Sequence, residues 1–495
     1  MEELELITSS EDDARSVAKC LVDVGCCPRC VLRFMGEKRP HIYKKTIEQA
    51  SDVVRQLCQT ENNTSFSGVS KPCPACLGIL QDFSCKEFFI KIKEQVDEEG
   101  YQFTDYLCSL MVPICTQPRQ HAVFIHLKTE FSEIYKSVKE DNISSIKDIW
   151  KWFAGPELAL LLGIDFQQKS DFEICITFIY DNSDKECGFL LNAQPEVFRK
   201  RKCKRYGFET FTRASVAKAL MEIDEDKFKR FFHCPPAIPD SICRYEITCC
   251  HEAVYIAGRY QKFSRILSQT PWIVDGGRKS ESSVQELICE SILDRFKPTD
   301  HKFSASGRED VDVRMLGTGR PFIVELVNPH VVMFSPEELK TIQEKINMST
   351  SDVAVQDLQI ISREETSNLK EGEIDKTKSY CALCCSEKPL SQEDLNKLHD
   401  IKNLTLQQKT PIRVLHRRPL AVRERVIHEM RTEKVDDHRF KLYLSTQAGT
   451  YIKEFVHGDF GRTNPHLSTL LGTDCDIVQL DVESVNVEWP PRLAR

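Results

Sequence analysis

The chain has 495 residues, 41% of them hydrophobic and 29% charged, the balance of a globular protein rather than a disordered one. Its net charge of -8 argues against a protein that coats nucleic acid without selection, and its longest apolar stretch, residues 158–164, falls far short of the roughly 20 needed to span a bilayer. The start carries Glu2, Glu3, Glu5, Glu11, Asp12 and Asp13 with no base, unlike a secretory signal, so a soluble protein of the nucleus and cytoplasm is expected, with most of its 22 cysteines reduced.

In chain order, apolar spacing predicts a helix over 11–24. Two CxxC pairs follow, and residues 172–180 (FEICITFIY) read as a buried strand, residues 212–223 as a helix. Length alone suggests about three domains. The proline cluster at 235–240 is nevertheless the sharpest break, and it divides the chain into an N-terminal half, 1–240, and a C-terminal half, 241–495. Beyond it, Val254 to Ala257 reads as a strand ending at Gly258, and Ser283 to Glu286 has the capping-box pattern that opens a helix. Strands are expected at 311–316, 322–327, 440–444 and 477–487, with a helix at 450–457. The fold class is α/β (α+β), a mixed, mostly antiparallel sheet with helices against it, plus an α/β N-terminal domain.

Cys27-Pro28-Arg29-Cys30 and Cys73-Pro74-Ala75-Cys76 each set two thiols on a tight turn. Four soft anionic donors suit a tetrahedral structural Zn2+; unrelated thiols and redox chemistry are the competing readings. Pro72 to Cys76 also matches half of the zinc deaminase signature, but no H-x-E precedes it, which excludes that reading. Cys381 to Cys385 contains another CxxC without a partner pair and is assigned to the core.

Residues 306–314 pack five charged side chains into a turn and the strand after it. Taken alone, Asp310 in such a place is a turn residue or an ion-pair partner, Tyr380 a core strand residue and Lys453 a solvated one. Together they resemble a known set. Gly307-Arg308-Glu309-Asp310 is similar to the G-R-T-D loop of pseudouridine synthases, with Glu309 where many relatives carry Thr. Gly449-Thr450-Tyr451-Ile452-Lys453 resembles their G-T-Y-I-[KR] motif, and Lys376-Thr377-Lys378-Ser379-Tyr380 their active-site tyrosine segment. The segments at 257–260, 268–272, 320–322, 414–420 and 457–462 further resemble the archaeal and eukaryotic pseudouridine synthases of the tenth family.

That resemblance implies an isomerase acting on tRNA, at the adjacent uridines that begin the T-loop. It makes 1–240 an accessory domain with a zinc site and an RNA-binding THUMP module, and 241–495 the catalytic domain. Asp310 would be the catalytic carboxylate, Lys453 the base that keeps it charged, since a cation within about 4–6 Å favours a carboxylate. Tyr380 would be the third catalytic residue, stacking on the flipped uridine and able to serve as a base. Ile452 would line the uracil pocket, and Leu480 is counted with the substrate-binding residues. Arg259, Lys262 and Arg265, just after a strand, and Arg417 and Arg418 are candidate phosphate contacts, as is the basic run Arg199 to Arg205. No organic cofactor is expected, since the reaction has no redox or phosphoryl step, and no P-loop is present. A monomer is expected, with room for further RNA or protein partners in the N-terminal half. The competing classes are an RNA adaptor with a vestigial synthase half, and a methyltransferase or thiolation enzyme; the latter two need a nucleotide or cofactor loop that the sequence lacks.

Overall fold

The computed structural model describes residues 4–59, 71–198, 210–369, 377–416 and 418–493. The chain divides into two units, Met1–Cys250 and His251–Arg495. Among the described residues, no helix is long and apolar enough to cross a membrane.

The N-terminal unit is largely helical around a three-stranded sheet, β1 (Leu107–Met111), β2 (Phe172–Ile179) and β3 (Arg244–His251), in the order β1-β2-β3. Strands β1 and β2 are parallel, so the chain must cross over between them, and it does so through the helices Thr116–Glu130 and Ile146–Leu162. Strict alternation sends Phe172, Ile174, Ile176 and Phe178 of β2 into the core. The first helix, Glu11–Asp23, is capped by the Ser10 hydroxyl, with Glu11, Asp12 and Asp13 in its first turn, where the helix dipole favours negative charge. The boundary between units falls after Cys250 rather than at 240, because residues 244–250 form a strand of the first unit's sheet.

The C-terminal unit carries the longer strands: β4 (Val254–Lys262), the short ribbon β5 (Ile273–Val274) and β6 (Gly277–Arg278), β7 (Asp300–Ala305), β8 (Arg314–Val327), β9 (Val353–Ile361), β10 (Lys378–Ser386), β11 (Leu404–Lys409), β12 (Val422–Lys434), β13 (Arg439–Thr446), β14 (Thr463–Asn464) and β15 (Cys475–Val485). Its main sheet has ten strands in the order β14-β11-β12-β13-β10-β15-β8-β4-β9, with β7 paired to β8. Every neighbouring pair for which a register is defined is antiparallel except β15 with β8. The helices Val284–Phe296 and Pro336–Ser349 lend Ile288, Ile292, Ile342 and Ile346 to the core.

Two strand expectations change. Strand β4 runs through Gly258 instead of ending there: a side chain at 258 would meet the Phe322 ring at 2.9 Å, so glycine admits the ring rather than stopping the strand. The strands expected at 311–316 and 322–327 are one element, β8. Its Gly317 and Gly319, at φ +58° and +73°, stand where a Cβ would lie 1.9 Å from the Glu483 carbonyl oxygen and 2.7 Å from that of Tyr260. Those glycines let β8 bend against its neighbours, and they are the break seen in the sequence.

Candidate active site

The loop 306–313 joins β7 to β8, and its conformation is set by a buried polar network beneath it. Arg320 on β8 donates from Nε to Glu309 Oε2 at 2.8 Å and from Nη1 to the Ser306 carbonyl at 2.7 Å. The Tyr260 hydroxyl donates to Glu309 at 2.9 Å, and Gln269 Nε2 donates to the Tyr260 oxygen and to the Gly307 carbonyl. Gly307 is at φ +91°, and a Cβ there would sit 2.9 Å from Arg320 Nη1. The Glu309 side chain, 1% exposed, thus faces inward as the counter-charge of Arg320, which accounts for an acid where many relatives carry Thr.

From the far side, Lys262 Nζ donates to the carbonyls of Leu267, Asp310 and Val311, and burial lowers its ammonium to about 8. Arg265 donates to the Asp312 and Leu480 carbonyls and pairs with Asp481 Oδ1 at 2.6 Å. Arg259, 4% exposed, commits its donors to carbonyls of Thr318, Gly319, Val485, Val487 and Trp489. In this structure these donors are engaged by the protein itself. Arg259 has no donor free; Lys262 and Arg265 brace the loop that carries Asp310.

Asp310 itself faces outward, 31% exposed, between two cations. Arg413 Nη1 donates to its Oδ2 at 2.7 Å, and Lys453 Nζ lies 3.5 Å from the same oxygen. Lys453, on the helix Ile452–His457, makes its shorter bonds, 2.7 and 2.8 Å, to Asp312. For Asp312, burial works against ionisation, but the Lys453 hydrogen bond and charge outweigh it and hold the carboxyl below its usual value. Arg413 is fixed by a 2.7 Å bond from Nε to Glu454, which is 2% exposed. The result is a row of alternating charges, Asp312, Lys453, Asp310, Arg413 and Glu454, with Asp310 at its centre. The sequence alone does not single out Arg413, one of five arginines between positions 413 and 425. Nothing local distinguishes it from its basic neighbours; the three-dimensional pairing does.

Tyr380 lies on β10, opposite Val482 of β15 and Leu444 of β13, part-buried against the core. Burial pushes its hydroxyl up and the nearby Arg320 charge opposes this, so it is a neutral phenol close to the network under the Asp310 loop. Ile452 and Leu480 are both buried core residues. Cys384 is likewise core, as expected. Arg417, Lys376 and the basic run from Arg199 to Arg205 lie outside the described residues.

In the N-terminal unit, Cys27, Cys30, Cys73 and Cys76 are all buried, with their sulfurs within 4.8 Å of one another. The Cys27 and Cys76 sulfurs are 3.8 Å apart, the tetrahedral edge implied by a Zn–S bond of about 2.3 Å. N–H groups of Cys27, Leu80 and Arg33 point at three of the sulfurs at 3.3 to 3.5 Å, as thiolates require. Buried Arg29 and Arg33 both lie within electrostatic reach of these cysteines. Four thiolates around a dication leave two negative charges in excess, and two guanidiniums balance them. The four cysteines are positioned to bind a metal ion.

Two family models match the chain, one described as Pus10, C-terminal, over residues 255–486, the other as Eukaryotic Pus10, N-terminal, over 73–250. With an outward aspartate held between cations on a mostly antiparallel sheet, they put the C-terminal unit in the class of pseudouridine synthases. The chain belongs to the Pus10 family. It is 43% identical to a Homo sapiens protein and 44% identical to one from Xenopus laevis, each alignment covering 97–98% of this chain and 99% of the relative. A Thermofilum pendens protein is 39% identical over 47% of this chain and 52% of its own length. All three are named "tRNA pseudouridine synthase Pus10".

Proposed function

We propose that this chain isomerises uridine to pseudouridine in tRNA, at the adjacent uridines that begin the T-loop, with Asp310 as the attacking carboxylate. The supporting observation is the centred position of Asp310: it is partly exposed and held by two cations, Arg413 and Lys453, while Asp312 pairs with Lys453 and Glu454 is buried against Arg413. In the reaction the bond from uracil N1 to ribose C1′ breaks, C1′ joins C5 of the same base, the C5 proton leaves, and N1 gains one. No electrons are transferred. Asp310 attacks either C1′ or the uracil ring and is regenerated. While it carries the adduct, Lys453 and Arg413 each retain a carboxylate of their own, Asp312 and Glu454, so no cation is stranded. Tyr380, a neutral phenol, serves as the stacking face for the extruded base, with Ile452 and Leu480 of the core it packs against as the apolar contacts of the uracil. Arg308, exposed on the same loop, and Arg418 suit phosphate contacts. The N-terminal unit grips the body of the tRNA as a THUMP-type module.

The test is T-arm RNA incubated with wild type and with Asp310→Asn, with pseudouridine mapped by sequencing. The asparagine variant should fold, bind RNA and form no product; retained activity removes Asp310 as nucleophile. For the cysteine site the reading is zinc in a structural role, because no coordination position is left open. Metal analysis should find one zinc per wild-type chain and a loss of zinc in Cys27→Ser and Cys73→Ser. Undiminished zinc in both variants overturns that assignment.

A further inference from the structure

Directly after the Lys453 helix the chain makes a turn in which four consecutive residues have positive φ: Gly458 at 82°, Asp459 at 48°, Phe460 at 54° and Gly461 at 78°. For the glycines this is ordinary, and Asp tolerates it; a bulky aromatic in the left-handed region is an outlier. Such a conformation is strained and persists only where the surroundings impose it. Here they do. The buried Asp459 accepts from the Ile412 amide at 3.3 Å and lies 3.6 Å from Arg462, while its own N–H donates to His457 Nδ1. Arg462 Nη2 reaches the Thr410 carbonyl at 2.6 Å, and the Gly458 amide closes on the Glu454 carbonyl.

Phe460 gains nothing from this in the free protein, because it is 95% exposed. Neither packing nor backbone preference accounts for a phenylalanine there. Its frame is tied on one side to Ile412, the neighbour of Arg413, and on the other to Glu454, the partner of Arg413. The turn is therefore built onto the same residues that hold Asp310. The 409–418 segment it is tied to presents Lys409, Arg413, His416 and Arg418 to solvent, along with the partly exposed Ile412 and Leu415. An exposed ring on a turn tied to the segment that carries the exposed Lys409 and Arg418, beside a site that must hold an unstacked nucleotide, matches the chemistry of a base platform: the ring takes a π-face and those two cations take the phosphates.

We propose that Phe460 is a stacking platform for an unpaired base of the substrate RNA flanking the uridine that is isomerised, presented there by the left-handed turn. This rests on the isomerase reading above and adds a contact outside the charge row. Two replacements separate the ring from the backbone. Phe460→Gly removes the ring and relieves the turn; Phe460→Trp keeps an aromatic face.

The full-length proteins are compared in thermal midpoint, in kcat/KM on T-arm RNA, and in fluorescence quenching of T-arm RNAs carrying 2-aminopurine immediately 5′ or 3′ of the target uridine. Phe460→Gly should melt no lower than wild type, and higher if the strain is relieved. It should lose about 5- to 150-fold in kcat/KM, the equivalent of one stacked base. It should also lose the quenching at one flank, while Phe460→Trp keeps both signals near wild type. Unchanged kcat/KM and quenching in Phe460→Gly overturn the proposal, and so does a lowered melting temperature, which would make the ring structural. A wild type that quenches 2-aminopurine through Phe460 yet forms no pseudouridine would remove the isomerase reading and leave the platform standing.

Discussion

Glu309 and Asp310 are adjacent carboxylates on one loop, and the fold gives them opposite surroundings. The Glu309 side chain is 1% exposed and bound to Arg320 and Tyr260; that of Asp310 is 31% exposed and held by Arg413 and Lys453. The inner acid has every oxygen matched within a closed network, so its charge is fixed and structural. The outer acid shares cations that already own other carboxylates, so in the proposed reaction its charge is used by the substrate and returned. The two side chains leave the loop toward different partners, Glu309 to Arg320 beneath it and Asp310 to Arg413 and Lys453, which is how two like charges can sit so close in different surroundings.

The comparison breaks most visibly at the inner acid. Glu309→Gln leaves the guanidinium of Arg320 buried without its counter-charge, and losing one partner of a buried pair costs about 3–5 kcal/mol. Denaturant unfolding of the full chain should show that loss in the transition of the C-terminal unit. A joint replacement, Glu309→Leu with Arg320→Met, should recover much of the stability, since apolar residues of similar volume replace a buried pair at little cost. Activity should stay low in the joint variant, because the Ser306 carbonyl loses its donor and the Asp310 loop its anchor. Stability and activity recovering together would mean that the network only fills space.

How much of this could be read from the sequence follows the same division. The four cysteines are found through their CxxC spacing, and the carboxylate loop and Lys453 through short motifs that resemble a known family, because each motif depends on residues close together in the chain. The basic residues are not found this way. Arg259, Lys262, Arg265 and Arg320 carry the same charge as Arg413, yet all four are committed inside the fold to carbonyls and carboxylates. Which cation turns inward depends on its place in the sheet: β4 is paired on both edges, by β8 and β9, Ile256 to Tyr260 are all buried, and its cations Arg259 and Lys262 bond backbone in place of water. Glycine misled for a related reason. Gly258, Gly317 and Gly319 read as strand ends, but each admits a close approach from a neighbour within a continuous strand. The expected order of helices and strands survived where periodicity was strong, as in Glu11–Asp23 and Phe172–Ile179, and failed where the determinant was a neighbour distant in sequence.

The outer acid permits a finer cut, with a smaller effect. Arg413 joins Asp310 to the buried Glu454 through different nitrogens of one guanidinium, Nη1 at 2.7 Å and Nε at 2.7 Å. Lysine offers a single point charge and cannot span both carboxylates. In Arg413→Lys the ammonium should stay with Glu454, whose burial makes an unpaired charge the greater penalty, and Asp310 should keep only its 3.5 Å approach to Lys453. Folding should change by no more than about 1 kcal/mol, the range of a partly exposed ion pair. Single-turnover pseudouridine formation should fall about 10- to 100-fold with RNA affinity unchanged, because the bond that a lysine there cannot make is the one to Asp310, the carboxylate proposed to react. If the rate is unaffected, Lys453 alone suffices to hold Asp310, and the short Arg413 bond belongs with the inner network as a structural tie.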